Sequence, residues 1–345
     1  MDVSGVRSIY GTRVHLVPSV AILLGNGQVW RSTARACTND GCPGWERIDD
    51  DARVKAIAAS STRLFARLGT GQIWVWDGYT PCNKTSCSGW SQIDSSTGSV
   101  QIAAQGQTVF QLQNDGKIWV WDGKTRCSAT ACAGWTLVDD DARIGSIAAG
   151  GGKLFARQAT GQIWVWDGHS ACTGSACPGW SLIDSNTRSS QIAASDQKLF
   201  QLQVDGKLWL WDGKTNCNQA SCPGWALVDN DPRIKTIAAT DTKLFARQDT
   251  GQLWVWDGHT LCSDTACNGW SLIDSNNRSQ KITASYASLF QLHADGSLWR
   301  WDGQTKCNAS ACPGWTLIDT DQRTVAIEGF SLVAKPSRLS TGPLL

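Results

Sequence analysis

The chain has 345 residues and sets 31 basic side chains against 30 acidic ones. That balance gives no general attraction to nucleic acid or to an anionic membrane surface, and no apolar run reaches bilayer-spanning length. Fourteen cysteines and twenty tryptophans are the departures from an ordinary globular composition.

The first ten residues, Met1 to Tyr10, lack the basic start and continuous apolar region of a secretory signal. The chain then becomes periodic. Cys37, Cys82, Cys127, Cys172, Cys217, Cys262 and Cys307 follow one another at a step of 45 residues. Each has a second cysteine after four intervening residues, at Cys42, Cys87, Cys132, Cys177, Cys222, Cys267 and Cys312. Three positions further on stands Trp45, Trp90, Trp135, Trp180, Trp225, Trp270 or Trp315. A unit of this size cannot bury a core alone, so the copies must stack on one another. The expectation is one domain over 1–345, with 335–345 a loose tail.

Each unit divides into four short segments. In one of them these are Gln191–Ala194, Lys198–Gln203, Lys207–Trp211 and Trp225–Val228, rich in β-branched, aromatic and other apolar residues. Asp205-Gly206 between two of them is a hairpin signal. No segment carries a sustained helical period. This predicts an all-β, seven-bladed β-propeller with four-stranded antiparallel blades. The units alternate between two flavours, one with Phe-Gln-Leu-Gln and Asp-Gly-Lys, the other with Phe-Ala-Arg and Thr-Gly-Gln. An odd ring must then place two units of the first flavour side by side, and that junction should differ from the rest. For closure, Val6–Tyr10 aligns with Val54–Ala58, and Trp315–Ile318 is expected to complete the sheet opened by the N-terminus. Val325–Ile327 looks like one further strand, and Val29–Thr33 departs from the Trp-x-Trp-Asp-Gly pattern of the other units.

Cysteines in local pairs suit disulfides, each closing a loop worth about 2 kcal/mol in the chain-entropy model. Zinc is the rival reading. It prefers four ligands, and His15, His169, His259 and His293 do not recur in step with the cysteines. Disulfides suit an oxidising compartment, which conflicts with the missing export signal. Unconventional export and cytoplasmic storage both stay open.

No phosphate loop, zinc-protease helix or nucleophile elbow is present, so a non-enzyme without cofactor or metal is expected. Trp74 and Trp76, two apart on a strand, should face the same side and fill the layer between blades. A tryptophan exposed at a junction would instead offer a platform for a sugar ring. The aspartate of each Trp-Asp-Gly either caps the turn or accepts bonds from sugar hydroxyls, with the cap favoured. After that glycine the residue varies: Tyr79, Lys124, His169, Lys214, His259, Gln304. The acidic runs Asp49–Asp51, Asp139–Asp141, Asp229–Asp231 and Asp319–Asp321 suggest calcium, but Arg53, Arg143, Arg233 and Arg323 follow them and point to ion pairs in a turn.

Gly89-Trp90-Ser-Gln-Ile-Asp94, Ile102-Ala-Ala104 and the Leu-Phe-x5-Gly-x-Ile-Trp-x-Trp run from Leu64 to Trp76 resemble the tectonin-type repeat of defence lectins. The resemblance covers roughly 6–330 and implies multivalent binding of cell-surface glycans at blade junctions, with avidity from repeated weak sites. The candidate sugar-binding residues are Trp76, Asp77, Tyr79, Trp121, Asp122, Trp166, Asp167, His169, Trp211, Asp212, Trp256, Asp257, His259, Trp301 and Asp302. No nucleic acid partner and no membrane insertion are expected. The alternative is a protein-docking propeller, since the Asp-Gly-x-Ile-Trp run is also similar to RCC1-like repeats.

Overall fold

The computed structural model describes residues 16–333, apart from 33–34, 61–62, 175, 196–197, 219, 241, 264–265 and 286–287. Its strands form seven four-stranded antiparallel sheets, a seven-bladed β-propeller. The second blade is representative, with Val54–Ala59 innermost, then Leu64–Leu68, Ile73–Trp76 and outermost Trp90–Asp94. The hairpin between the middle strands needs glycine. At Gly206, φ is 86° and a Cβ would lie 2.4 Å from the Cα of Pro232 in the next connector. The inner strands of successive blades neighbour one another round the ring.

Strand alternation gives each blade two different faces. Trp74, Trp76 and Trp90 face the preceding blade, where Trp76 packs with Ala21, Leu23 and Val29. Phe65, Ile73, Val75 and Ile93 face the following blade and meet Ile102, Val109 and Trp121. The inter-blade role expected for Trp74 and Trp76 is therefore met. At five junctions a phenylalanine meets the next blade's tryptophan edge to face, with centroids 5.8–6.2 Å apart.

The two flavours are two kinds of junction. From the first flavour to the second, Gln101 and Gln191 on inner strands bond both backbone groups of Ile147 and Ile237 in the next blade. From the second to the first, Arg67, Arg157 and Arg247 donate to the carbonyls of Ser99, Ser189 and Ser279. The closing junction uses neither device. There the Thr283 hydroxyl accepts the Gly329 N–H at 3.0 Å, and Ser32 stands where other blades have the second tryptophan. The junction differs, as two like blades side by side require.

The closure itself corrects the sequence reading. Trp315–Asp319 is the outer strand of its own, seventh blade. The strand that completes the first blade is Thr324–Val333, paired antiparallel with Leu16–Leu24 as the innermost member. The physical reason is the uniform direction of every blade: its tryptophan-led strand is outermost, so the missing piece of the first blade is an inner strand. Val6–Tyr10 lies outside the described residues.

Candidate binding sites at the blade junctions

All fourteen cysteines form the seven disulfides of their own C-x4-C loops. Each loop lies along the outer strand of the preceding blade, where the first cysteine's N–H donates to that strand, as Cys82 does to Arg47 at 2.8 Å. The tryptophan after the loop repeats the contact. The indole N–H of Trp45, Trp90, Trp135, Trp180, Trp225, Trp270 and Trp315 donates to a carbonyl of the preceding outer strand at 2.6–3.1 Å. These groups latch blade to blade.

The candidate tryptophans Trp76, Trp121, Trp166, Trp211, Trp256 and Trp301 are buried in the junctions. Each indole N–H donates at 2.6–2.9 Å to the carbonyl four residues on, folding the turn back over the ring. The aspartates Asp77, Asp122, Asp167, Asp212, Asp257 and Asp302 cap that turn. One carboxylate oxygen of each accepts the two backbone N–H groups two and three residues on, at 2.8–3.0 Å. For Asp122, Asp167, Asp212, Asp257 and Asp302, desolvation works to raise the pKa, but these bonds and those from Thr125, Ser170, Thr215, Thr260 and Thr305 outweigh it and hold the pKa below the usual carboxylate value. Tyr79, Lys124, His169, Lys214, His259 and Gln304 stand exposed on the turns.

A cation from the preceding blade covers most of these tryptophans. Arg31 lies over Trp76, Arg63 over Trp121, Lys153 over Trp211, Lys198 over Trp256 and Lys243 over Trp301, 4.6–5.6 Å from the ring centroid. The same cations donate to the carbonyls of Gly78, Gly123, Gly213, Gly258 and Gly303 in the turns. Arg31 belongs to the divergent first blade, whose Trp30-Arg31-Ser32 reaches across by this different route.

A second kind of cleft opens beside the connectors that lead from one blade to the next. Between the fifth and sixth blades a cavity of about 180 Å³ is lined by Asp229, Asp231, Arg233, Gln248, Trp254 and Trp270. The corresponding cleft at the closing junction, about 340 Å³, includes Trp30, Trp45, Asp319, Asp321 and Arg323. The acidic connectors hold ion pairs of 2.6–2.8 Å from Arg53, Arg143, Arg233 and Arg323 to Asp51, Asp141, Asp231 and Asp321, as their spacing predicts. Burial pushes Asp49 and Asp139 up to about 6. Asp50 and Asp140 lie near Cys87 and Cys177, whose sulfurs are bonded within disulfides. Trp74, Trp119, Trp164, Trp209 and Trp254 have buried indole N–H groups with no partner among the described residues. Sequence reasoning chose the other tryptophan of each Trp-x-Trp. The pair shares a face, and only the fold-back of the turn decides which N–H is occupied.

Among the described residues, no helix is long and apolar enough to cross a membrane. No protein-family model and no curated protein sequence matches this chain. Solved structures do share its fold. Prp20p from Saccharomyces cerevisiae aligns with a TM-score of 0.54 at 12% identity, over 84% of this chain and 81% of that one. Yeast RCC1 (Prp20) bound to Kap60 aligns at 0.54 and 13%, over 83% and 78%, and human WBSCR16 at 0.51 and 11%, over 83% and 88%. At such identities the likeness is one of fold: the chain is a seven-bladed β-propeller whose architecture is similar to that of these proteins.

Proposed function

We propose that the protein is a non-catalytic docking propeller whose face of Trp-Asp-Gly turns binds a protein partner. The observation that carries this is the contrast within each turn. The tryptophan N–H and aspartate carboxylate are committed to the fold, whereas the exposed residue above them differs from blade to blade: Tyr79, Lys124, His169, Lys214, His259, Gln304. Equivalent sugar sites would be served by one repeated residue; an asymmetric ring of aromatic and basic tips suits one extended protein surface. One neighbour in fold, seen in two structures, supports the reading: Prp20p, the yeast RCC1, was described with its binding to Gsp1p and histones and was solved bound to Kap60.

Affinity capture with native and sugar-supplemented buffers, followed by cross-linking, tests this. One partner at fixed stoichiometry is expected, unaffected by free sugar and cross-linked near Tyr79 or Lys124. Tyr79→Ala with Lys124→Ala should lower its affinity at least tenfold. Release by free sugar, or binding unchanged in the double variant, overturns the proposal.

The tectonin-type lectin reading survives in a relocated form, favoured by one observation. Trp254, whose buried N–H has no partner among the described residues, lines a cleft with Asp229, Asp231 and Arg233, and tryptophans of this kind recur at four other blades. That combination of ring, donor and carboxylates suits a saccharide. Binding on a glycan array that is weakened by Trp254→Phe, and further by the same change at Trp164, would support it over docking.

A further inference from the structure

The junction between the third and fourth blades breaks the cation pattern. Lys153, Lys198 and Lys243 each donate to a glycine carbonyl sixty residues on, as Arg63 does. The residue sixty before Gly168 is Thr108, and its hydroxyl turns back to the Trp121 carbonyl of its own blade. No described side chain therefore donates to the Gly168 carbonyl, and no described cation lies over Trp166, although Phe110 meets that ring edge to face. In their place is an open cavity of about 310 Å³, with Phe110, Trp121, Asp122, Trp166, Gly168 and His169 on its walls. At the next junction, where Lys153 and Lys198 are present, the corresponding space is about 160 Å³.

We propose that this cavity is a binding site for one alkylammonium group, the head of a lysine side chain or of a free aliphatic amine. The neighbouring blades show what it would do. Nζ of Lys153 lies 4.8 Å from the centroid of Trp211 and donates to the Gly213 carbonyl. An incoming ammonium finds the equivalent ring in Trp166 and the equivalent acceptor in Gly168, with its aliphatic stem against Phe110 and Val120. Attraction of a cation to an indole face strengthens as water is excluded, and the nearby Asp122 carboxylate adds charge of the right sign. A neutral alcohol of the same length meets the walls but gains neither the ring nor the charge. The site holds under either reading of the whole protein, because it depends on a position that is not repeated.

Ligand-observed NMR titration with n-butylammonium tests it on the intact chain. One saturable site is expected, with Kd on the order of a millimolar, and 1-butanol should bind at least tenfold more weakly. Thr108→Lys supplies the missing cation from within and should abolish binding; three other blades already accommodate lysine there, and an unchanged thermal transition verifies folding. Thr108→Ser should leave binding intact, and Lys153→Thr should raise the stoichiometry to two. Absence of saturable binding to the native protein, equal binding of butanol, or binding that survives Thr108→Lys overturns the proposal. A peptide with a single lysine that displaces butylammonium identifies a protein-borne ligand, whereas a peptide that fails to displace it identifies free amine.

Discussion

Glu328 shows how much one side chain can set against a repeat. It pairs with Ala21 across the closing strands and occupies the position held by Ala58, Ala103, Ala148, Ala193 and Ala238 in other inner strands. The residue keeps partial contact with solvent, but its carboxyl is enclosed, and burial pushes its pKa up to about 8. An unfolded glutamate titrates near about 4.3, so between those values the folded state holds more protons than the unfolded one. The stability tied to this group is complete below the unfolded value and is lost as pH rises toward the folded value. Glu328→Gln should therefore raise Tm at pH 9 and leave it nearly unchanged at pH 4. A thermal melt of both proteins across that range checks the sign, and a parallel shift at both ends would contradict it. The cation column was similarly open to reading. Arg63, Thr108, Lys153, Lys198, Lys243 and Ser288 share one position of the repeat, and Thr108, with Ser288 before the closing junction, is visible there as a departure from four cations. Its meaning is not, because the tryptophan it fails to cover lies in the next blade.

At the scale of the element, the disulfide loop and the tryptophan after it form one latch. The closed loop presents the first cysteine's N–H to the preceding outer strand, and the following indole N–H binds the same strand. Cys82→Ser with Cys87→Ser should cost about 2 kcal/mol by restoring chain entropy to the unfolded state. Urea denaturation measures it, and a loss under about 0.5 kcal/mol would mean that the loop is held by its hydrogen bonds alone. The strands and their count were legible because the hydrophobic and hairpin signals recur seven times in phase. The junctions were legible only by type. Alternating flavours announced two kinds of contact, but that Gln101 bonds inner strands while Arg67 reaches Ser99 depends on the stagger between blades. The local engagement of Trp76 and Asp77 by the Thr80 carbonyl and the backbone N–H groups of the turn was not legible in the sequence, because it depends on how the turn folds back.

For the whole molecule, closure rests on a single inner strand from the far end of the chain. Truncation after Asp321 removes Thr324–Val333 and leaves the long Leu16–Leu24 edge unpaired. The truncated protein should lose its single cooperative transition and associate, as size-exclusion chromatography would show; a monomer with native Tm would mean that the ring does not need its seal. The phase of this seal was hard to read because Val6–Tyr10 and Val325–Ile327 both resemble inner strands. The latches carry a further consequence. Every one of them runs from a blade to the blade before it, including Trp45 to Ile318 across the closure, so the contact has a head and a tail. Such a contact, unclosed, propagates as a filament. The propeller is in this sense a polymer of blades that meets its own end after seven links. A fragment of two unlike blades, the unit from which the alternation is built, cannot sum to seven. Freed from the full chain, it would have to assemble with an even number of blades or grow without end.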